Sequence, residues 1–94
     1  MKVAFSEDAI ADILRLREFL KPIAADAARR AVETIIDGCE ALSTFPARGL
    51  LLDDGSRRVV IPFGARAYIA GYRIDEELDQ VVILRVRHAR ERER

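Results

Sequence analysis

The sequence predicts an α+β domain: a short N-terminal strand, an antiparallel two-helix hairpin, then a three-stranded antiparallel meander that completes one sheet. Three observations carry this. Two long stretches before residue 45 repeat apolar residues at helical spacing. After residue 56 come three apolar runs of four to eight residues, each bounded by turn formers. The connections between those runs are too short for crossovers, so neighbouring strands run antiparallel.

In chain order, Val3 and Phe5 alternate with Lys2 and Ala4, a short strand. Ser6 suits a helix N-cap, and Glu7 and Asp8 suit the positive end of the helix that follows. That helix runs to about Leu20. Ala9, Ile13, Leu16 and Leu20 form its stripe, Ile10 and Leu14 widen it, and Glu7, Asp12, Arg15 and Glu18 fall largely off it. Pro22 breaks or restarts the chain.

A second helix is expected from about Ile23 to Ser43, with Ala28, Ala31, Val32, Ile35, Cys39 and Leu42 on one face. Gly38 within it costs about 1 kcal/mol relative to alanine. It marks either a close approach to another backbone or an inert surface position. The alanine-rich run AADAARRA lets the two helices pack closely, and Phe45-Pro46 ends the second one.

Residues 47–56 are irregular, with turn formers at Gly49, Asp53, Asp54 and Gly55. Leu50, Leu51 and Leu52 have no periodicity. They cover a core edge, start a strand or bind a partner; the first is the simplest reading.

Strand faces follow from parity. Val59, Ile61 and Phe63 share a face with Arg57, while Arg58 and Val60 point the other way. Pro62 cannot donate to a ladder, so this strand ends there or lies where its N–H would face outward. Phe63-Gly64-Ala65 is a tight connection. Tyr68, Ala70, Tyr72 and Ile74 share one face of the next strand, and Ala67, Ile69, Gly71 and Arg73 the other. Asp75 to Asp79 forms an acidic hairpin loop. Strict alternation in the last strand sets Val82, Leu84, Val86 and His88 opposite Val81, Ile83, Arg85 and Arg87.

At 94 residues and 50% hydrophobic content, one domain (residues 1–94) with a thin core is expected, and a thin core favours dimerisation or a permanent partner. The net charge is zero but uneven. Residues 1–56 hold seven Lys or Arg against ten Asp or Glu, a net of −3; residues 57–94 hold nine against six, a net of +3. The basic half suggests an acidic partner. Cys39 is the only cysteine and falls on a helix stripe, so a buried thiol is expected rather than a disulfide, a metal cluster or a nucleophile. The first ten residues contain no apolar signal segment, and no run approaches a membrane span. The expected location is the cytoplasm, without membrane, metal or cofactor.

No Ser-His-Asp order, phosphate loop, His/Cys ligand set or Rossmann glycine pattern is present. His88, the single histidine, is either a general acid or base or a packed sheet-end residue; parity favours the second. The arginines suit phosphates or carboxylates, or else pair with Asp75, Glu76, Glu77, Asp79 or a helix acid such as Asp12. Tyr68 and Tyr72 either stack on bases or pack in the core; packing is the commoner use of such a pair. Residues 90–94 alternate in sign and read as a solvated tail.

The order V-x-F-S-x-x-A-x-x-D-I (Val3 to Ile13), L-S-x-F-P (Leu42 to Pro46), RRVVIPFGARAYIAGYRI and VVILRVRHARE resembles the RelE/ParE superfamily, the toxins of bacterial type II toxin–antitoxin modules. The resemblance spans nearly the whole chain. Tyr72-Arg73-Ile74 and Ile83-Leu84-Arg85-Val86 before His88 are its most specific parts. It implies a cognate antitoxin with a ribbon-helix-helix DNA-binding domain, a heterotetramer or larger assembly, and roles in growth arrest and plasmid stabilisation.

Two mechanisms follow from the resemblance. ParE-like members block DNA gyrase. RelE-like members are ribosome-dependent endonucleases that cut mRNA, using Lys, Arg and a late Tyr or His around the scissile phosphate. No Lys follows Lys21 and no Tyr follows Tyr72, and a guanidinium is too basic to act as a base, so the gyrase-directed reading is favoured. The endonuclease alternative would use His88, Arg85 and Arg66. A third reading is a non-toxic adaptor or inactive relative. Target or partner contacts are expected at Arg57, Arg58, Arg66, Tyr68, Arg73, Arg85, Arg87, His88 and Arg90. By resemblance, an amphipathic antitoxin segment occupies a groove formed by Ile13, Leu16, Leu20, Val32, Ile35, Leu50 and Leu51.

Overall fold

The computed structural model describes residues 1–91. Strand β1 (Lys2–Phe5) leads into helix α1 (Glu7–Leu20), which is followed by α2 (Ala25–Glu40). Two 3₁₀ turns, Ala41–Ser43 and Pro46–Arg48, lead to β2 (Leu50–Leu51), β3 (Arg57–Phe63), β4 (Arg66–Asp75) and β5 (Gln80–His88). The five strands form one sheet in the order β1-β5-β4-β3-β2. The expected α+β architecture is present, and β3–β4–β5 is an antiparallel meander. The sheet as a whole is mixed, because β1 lies parallel to β5, with Lys2 opposite Gln80 and Phe5 opposite Ile83.

Ser6 caps α1 as expected. Its Oγ accepts from the Ala9 N–H at 3.0 Å and donates to the Leu84 carbonyl at 2.9 Å, fastening the helix start to β5. The second helix is shorter than the 23–43 stretch expected: it begins at Ala25 after an extended Ala24 and tightens to a 3₁₀ turn at Ala41. The helix stripes pack on one face of the sheet. Ala9, Ile13, Leu16, Leu20, Ala28, Ala31, Ile35 and Cys39 meet Val59, Ile61, Tyr68, Ala70, Tyr72, Val81, Ile83 and Val86 in a single cluster. Gly38 marks a close approach, but to a side chain. A Cβ there would lie 2.8 Å from two carbons of Ile61.

Two local expectations are revised, and the alternatives for Pro62 are resolved in favour of the second. Leu50 and Leu51 do not cover the core. They form the two-residue edge strand β2 against Arg58 and Arg57, with side chains 62% and 57% exposed. Strict alternation fails in β5. A bulge opposite Gly71/Tyr72 inserts Leu84, so Val81, Ile83 and Val86 all face the helices. Pro62 does not end β3, which continues to Phe63; β2 covers only Arg57 and Arg58, leaving Pro62 where β3 has no neighbour but β4.

Residues 90 and 91, expected to belong to a solvated tail, are instead held at the end of β5. His88 N–H donates to Glu91 Oε1 at 2.9 Å, and Glu91 N–H donates to the His88 carbonyl at 2.9 Å, closing a turn at the end of β5. Residues 92–94 of that expected tail lie outside the described residues.

Candidate functional site

The face of the sheet turned away from the helices carries most of the candidate residues. Two rows of the register cross it: Arg58–Gly71–Arg85 and Val60–Ile69–Arg87. Gly71 sets no side chain between its two arginine neighbours, and only the Arg57 carbonyl, at 4.0 Å, would approach a Cβ there. All of these but Val60, together with Leu52, Leu84 and Arg15, line a shallow recess of about 410 Å³.

Asp12 organises the recess from the side. Beyond Ile83, β5 has no partner from β1, and α1 takes that place. Asp12 Oδ2 accepts from the Val86 N–H at 2.8 Å, so a side chain closes the ladder where the strand stops. The same carboxylate accepts Arg85 Nε at 2.8 Å and Nη2 at 3.0 Å, a two-pronged contact. Arg15 Nη2 lies 4.0 Å away. Burial opposes ionisation of Asp12, but the Arg85 and Val86 hydrogen bonds and the charges of Arg85 and Arg15 outweigh it and hold the carboxyl below its usual range. The guanidinium of Arg85 is correspondingly held more firmly protonated by Asp12. Asp12 is 5% exposed and so lies within the buried stripe of α1 rather than off it. The signal was present, since Ala9, Asp12, Ile13 and Leu16 follow spacings of three, one and three.

A second groove, about 730 Å³, lies at the end of the sheet and is lined by Leu16, Phe19, Ala65, Arg66, His88 and Arg90. His88 packs edge-on against Tyr68, with ring centroids 5.6 Å apart. Its Nδ1 accepts from the Arg90 N–H at 3.1 Å, which leaves the proton of the neutral ring on Nε2. Arg15 and Glu91, paired at 3.1 Å, line both concavities. The structure therefore brings His88 and Arg66 together, and places Arg85 with Arg58 and Arg87 in the other recess.

Several expected contact residues are committed elsewhere. Tyr68 is 1% exposed in the core and Tyr72 is equally buried, so neither offers a ring face to a base. Burial pushes the Tyr68 hydroxyl up. Tyr72 Oη donates to the Pro46 carbonyl and accepts from the Gly49 N–H, both at 2.8 Å. Arg57 Nη1 donates to the carbonyls of Ala47 and Gly49, clipping the same segment to β3. Arg87 Nη1 donates to the Glu91 carbonyl at 2.8 Å and, at 3.4 Å, to those of His88 and Ala89. Arg73 donates to the Asp54 carbonyl at 3.3 Å. Arg66 stands exposed.

The residues expected to line an antitoxin groove differ in burial. Ile13, Leu16, Leu20 and Ile35 are buried in this chain's own core, and Val32 packs partly against it. Ile10, Leu14 and Ile36 remain exposed on the helices, as do Leu50 and Leu51 at the sheet edge. The residues missed in the sequence are Gly71, whose role depends on cross-strand register, and Arg15, whose partner Glu91 lies at the far end of the chain. Among the described residues no group of three His, Cys, Asp or Glu is placed to hold a metal, and no helix is long and apolar enough to cross a membrane.

Comparison with known proteins finds similarity over nearly the whole chain. The sequence profile described as "ParE toxin of type II toxin-antitoxin system, parDE" matches residues 3–93. Toxin RelE3 of Caulobacter vibrioides is 36% identical over 81 residues, covering 86% of each chain. Among solved structures, a chain of the chromosomal ParDE system of P. aeruginosa superposes with a TM-score of 0.77 at 18% identity, covering 94% of this chain and 95% of its own. A chain of the RelBE2 toxin–antitoxin complex of Mycobacterium tuberculosis gives 0.69 at 28% identity, covering 96% and 92%.

Proposed function

The chain belongs to the ParE toxin family of type II toxin–antitoxin systems, and on that premise we propose that it acts by binding and inhibiting DNA gyrase. The observation that carries this reading is the separation of the single histidine, His88, from Arg85. His88 ends β5 in the sheet-end groove, whereas Arg85 lies on the open face with Arg58 and Arg87. An acid–base ribonuclease needs its base and its phosphate-stabilising cations around one scissile bond. A protein-binding face needs only charge and shape. The open recess offers both, with arginines around the apolar Ile69 and Leu84. Purified protein in stoichiometric excess is expected to inhibit gyrase supercoiling; unaffected supercoiling would end this reading.

A second reading is the ribosome-dependent endonuclease. It is favoured by the shared groove of His88 and Arg66 and by the name of the Caulobacter relative. It predicts mRNA cleavage on programmed ribosomes that His88→Ala and Arg66→Ala abolish. Growth unchanged by induced expression would instead indicate an inactive relative.

Neutralisation in our reading comes from a cognate antitoxin with a ribbon-helix-helix domain, in an assembly of at least two toxins and two antitoxins. The exposed Ile10, Leu14 and Ile36 would receive an amphipathic helix, and the open edge of β2 an added strand.

A further inference from the structure

We propose that Asp12 is a positioning residue: it aims Arg85 across the open face of the sheet and acts on the toxin's target only through that arginine. The inference deepens the toxin reading and rests on it, but not on which target is hit. Asp12 is nearly inaccessible, so it cannot itself meet a macromolecule, whereas the Arg85 side chain is about half exposed. One carboxylate takes two donors of the guanidinium, Nε and Nη2, and holds the Val86 N–H beside them. A planar fork gripped at two points cannot rotate. The donors on its remaining side project into the recess, which Gly71 keeps free of any side chain between Arg85 and Arg58.

Helix α1 thereby does two jobs with one residue. It completes the hydrogen bonding of β5 where β1 ends, and it supplies the anchor for a surface cation 73 positions along the chain. Without the anchor Arg85 would sample many rotamers, and a partner would have to order it on binding. The contact expected at Arg85 is an anionic group of the target, carboxylate or phosphate, for which a preordered guanidinium is the matched donor.

The test is a cycle of D12N, R85A and the double variant in the full-length chain, induced in cells at matched soluble abundance. The readout is the loss of colony-forming units. R85A and D12N are each expected to weaken killing at least tenfold, and the double variant no more than R85A alone. The ¹⁵N-edited spectrum of the purified protein should show an Arg85 Nε–H that exchanges at least tenfold faster in D12N. If D12N fails to fold, R85K takes its place, since it keeps the charge and leaves Asp12 to Val86 but removes the fork; it should weaken killing as D12N would. Losses that multiply in the double variant, or D12N killing at wild-type level, would overturn the proposal. So would a wild-type chain that does not arrest growth. Killing with unaffected supercoiling would remove the gyrase reading alone and leave this inference standing on the cycle.

Discussion

Asp12 has its partners on two elements, Arg85 and Val86 of β5 and Arg15 of its own helix, and that makes the junction acid-sensitive. Its folded pKa lies below its unfolded value. Its contribution is therefore complete above the unfolded pKa, about 4, and is lost as pH falls through the lower folded value. Asp12→Ala should destabilise the protein by about 2 kcal/mol near neutral pH, because a buried backbone N–H loses a charged acceptor. Thermal melts at decreasing pH should show the gap between the two proteins narrowing only below about pH 4. A gap independent of pH would mean that packing, not charge, holds the junction. Cys39 lies at the opposite extreme. Burial, with the nearby charge of Glu40, pushes its thiol up to about 12. A thiol-specific reagent should label it at the rate of unfolding, and rapid labelling of the folded chain would contradict its place in the core.

For the elements, Gly38 and Tyr72 show how close contacts decide what propensity cannot. Gly38→Ala gains about 1 kcal/mol of helix propensity, yet its Cβ would press into Ile61, which is buried and β-branched. The net effect expected is destabilisation by about 1–3 kcal/mol. In an Ile61→Ala background, which removes the opposing carbons, denaturant melts should show the sign reverse or the cost vanish. Tyr72→Phe strips the hydroxyl that ties Pro46 and Gly49 to β4. Its cost should be about 1–3 kcal/mol, with faster amide exchange confined to residues 46–51. The main helix stripes, the Ser6 cap and the β3–β4–β5 meander were legible in the sequence, because each depends on residues within a few positions of one another or on short connections. The β5 bulge was not: Leu84 carries no local mark, and its insertion is seen only against Gly71 and Tyr72.

Across the whole molecule, β5 is the strand on which the fold closes. It lies between β1 and β4, and its Val81 and Ile83 have no exposed surface. Pairing β1 with β5 joins nearly opposite ends of the chain, a contact with a high entropic cost of closure. Amide exchange at Val81 and Ile83 should therefore proceed through global unfolding, whereas edge strand β2 should exchange by local opening. Equal protection in the two strands would rule out this hierarchy. The charge asymmetry between the halves also takes on structural meaning at this scale. Part of it is internal, since Asp12 of the acidic half meets Arg85 of the basic half. In the proposed reading, the charge available to a partner is what remains on the open face.

By itself the sequence determined the class of fold, the two helix stripes and the meander, because periodicity, caps and turn residues act over a few positions and leave a local trace; the toxin family was legible through the resemblance of its motifs. Only the tertiary structure decided which arginines are committed to the fold and which face outward. It alone seated β1 parallel to β5, buried Tyr68, and separated His88 from Arg85. The physical reason is common to all of these. A side chain's role depends on the neighbour that neutralises, buries or orients it, and here those neighbours lie tens of residues away, as Asp12 lies from Arg85.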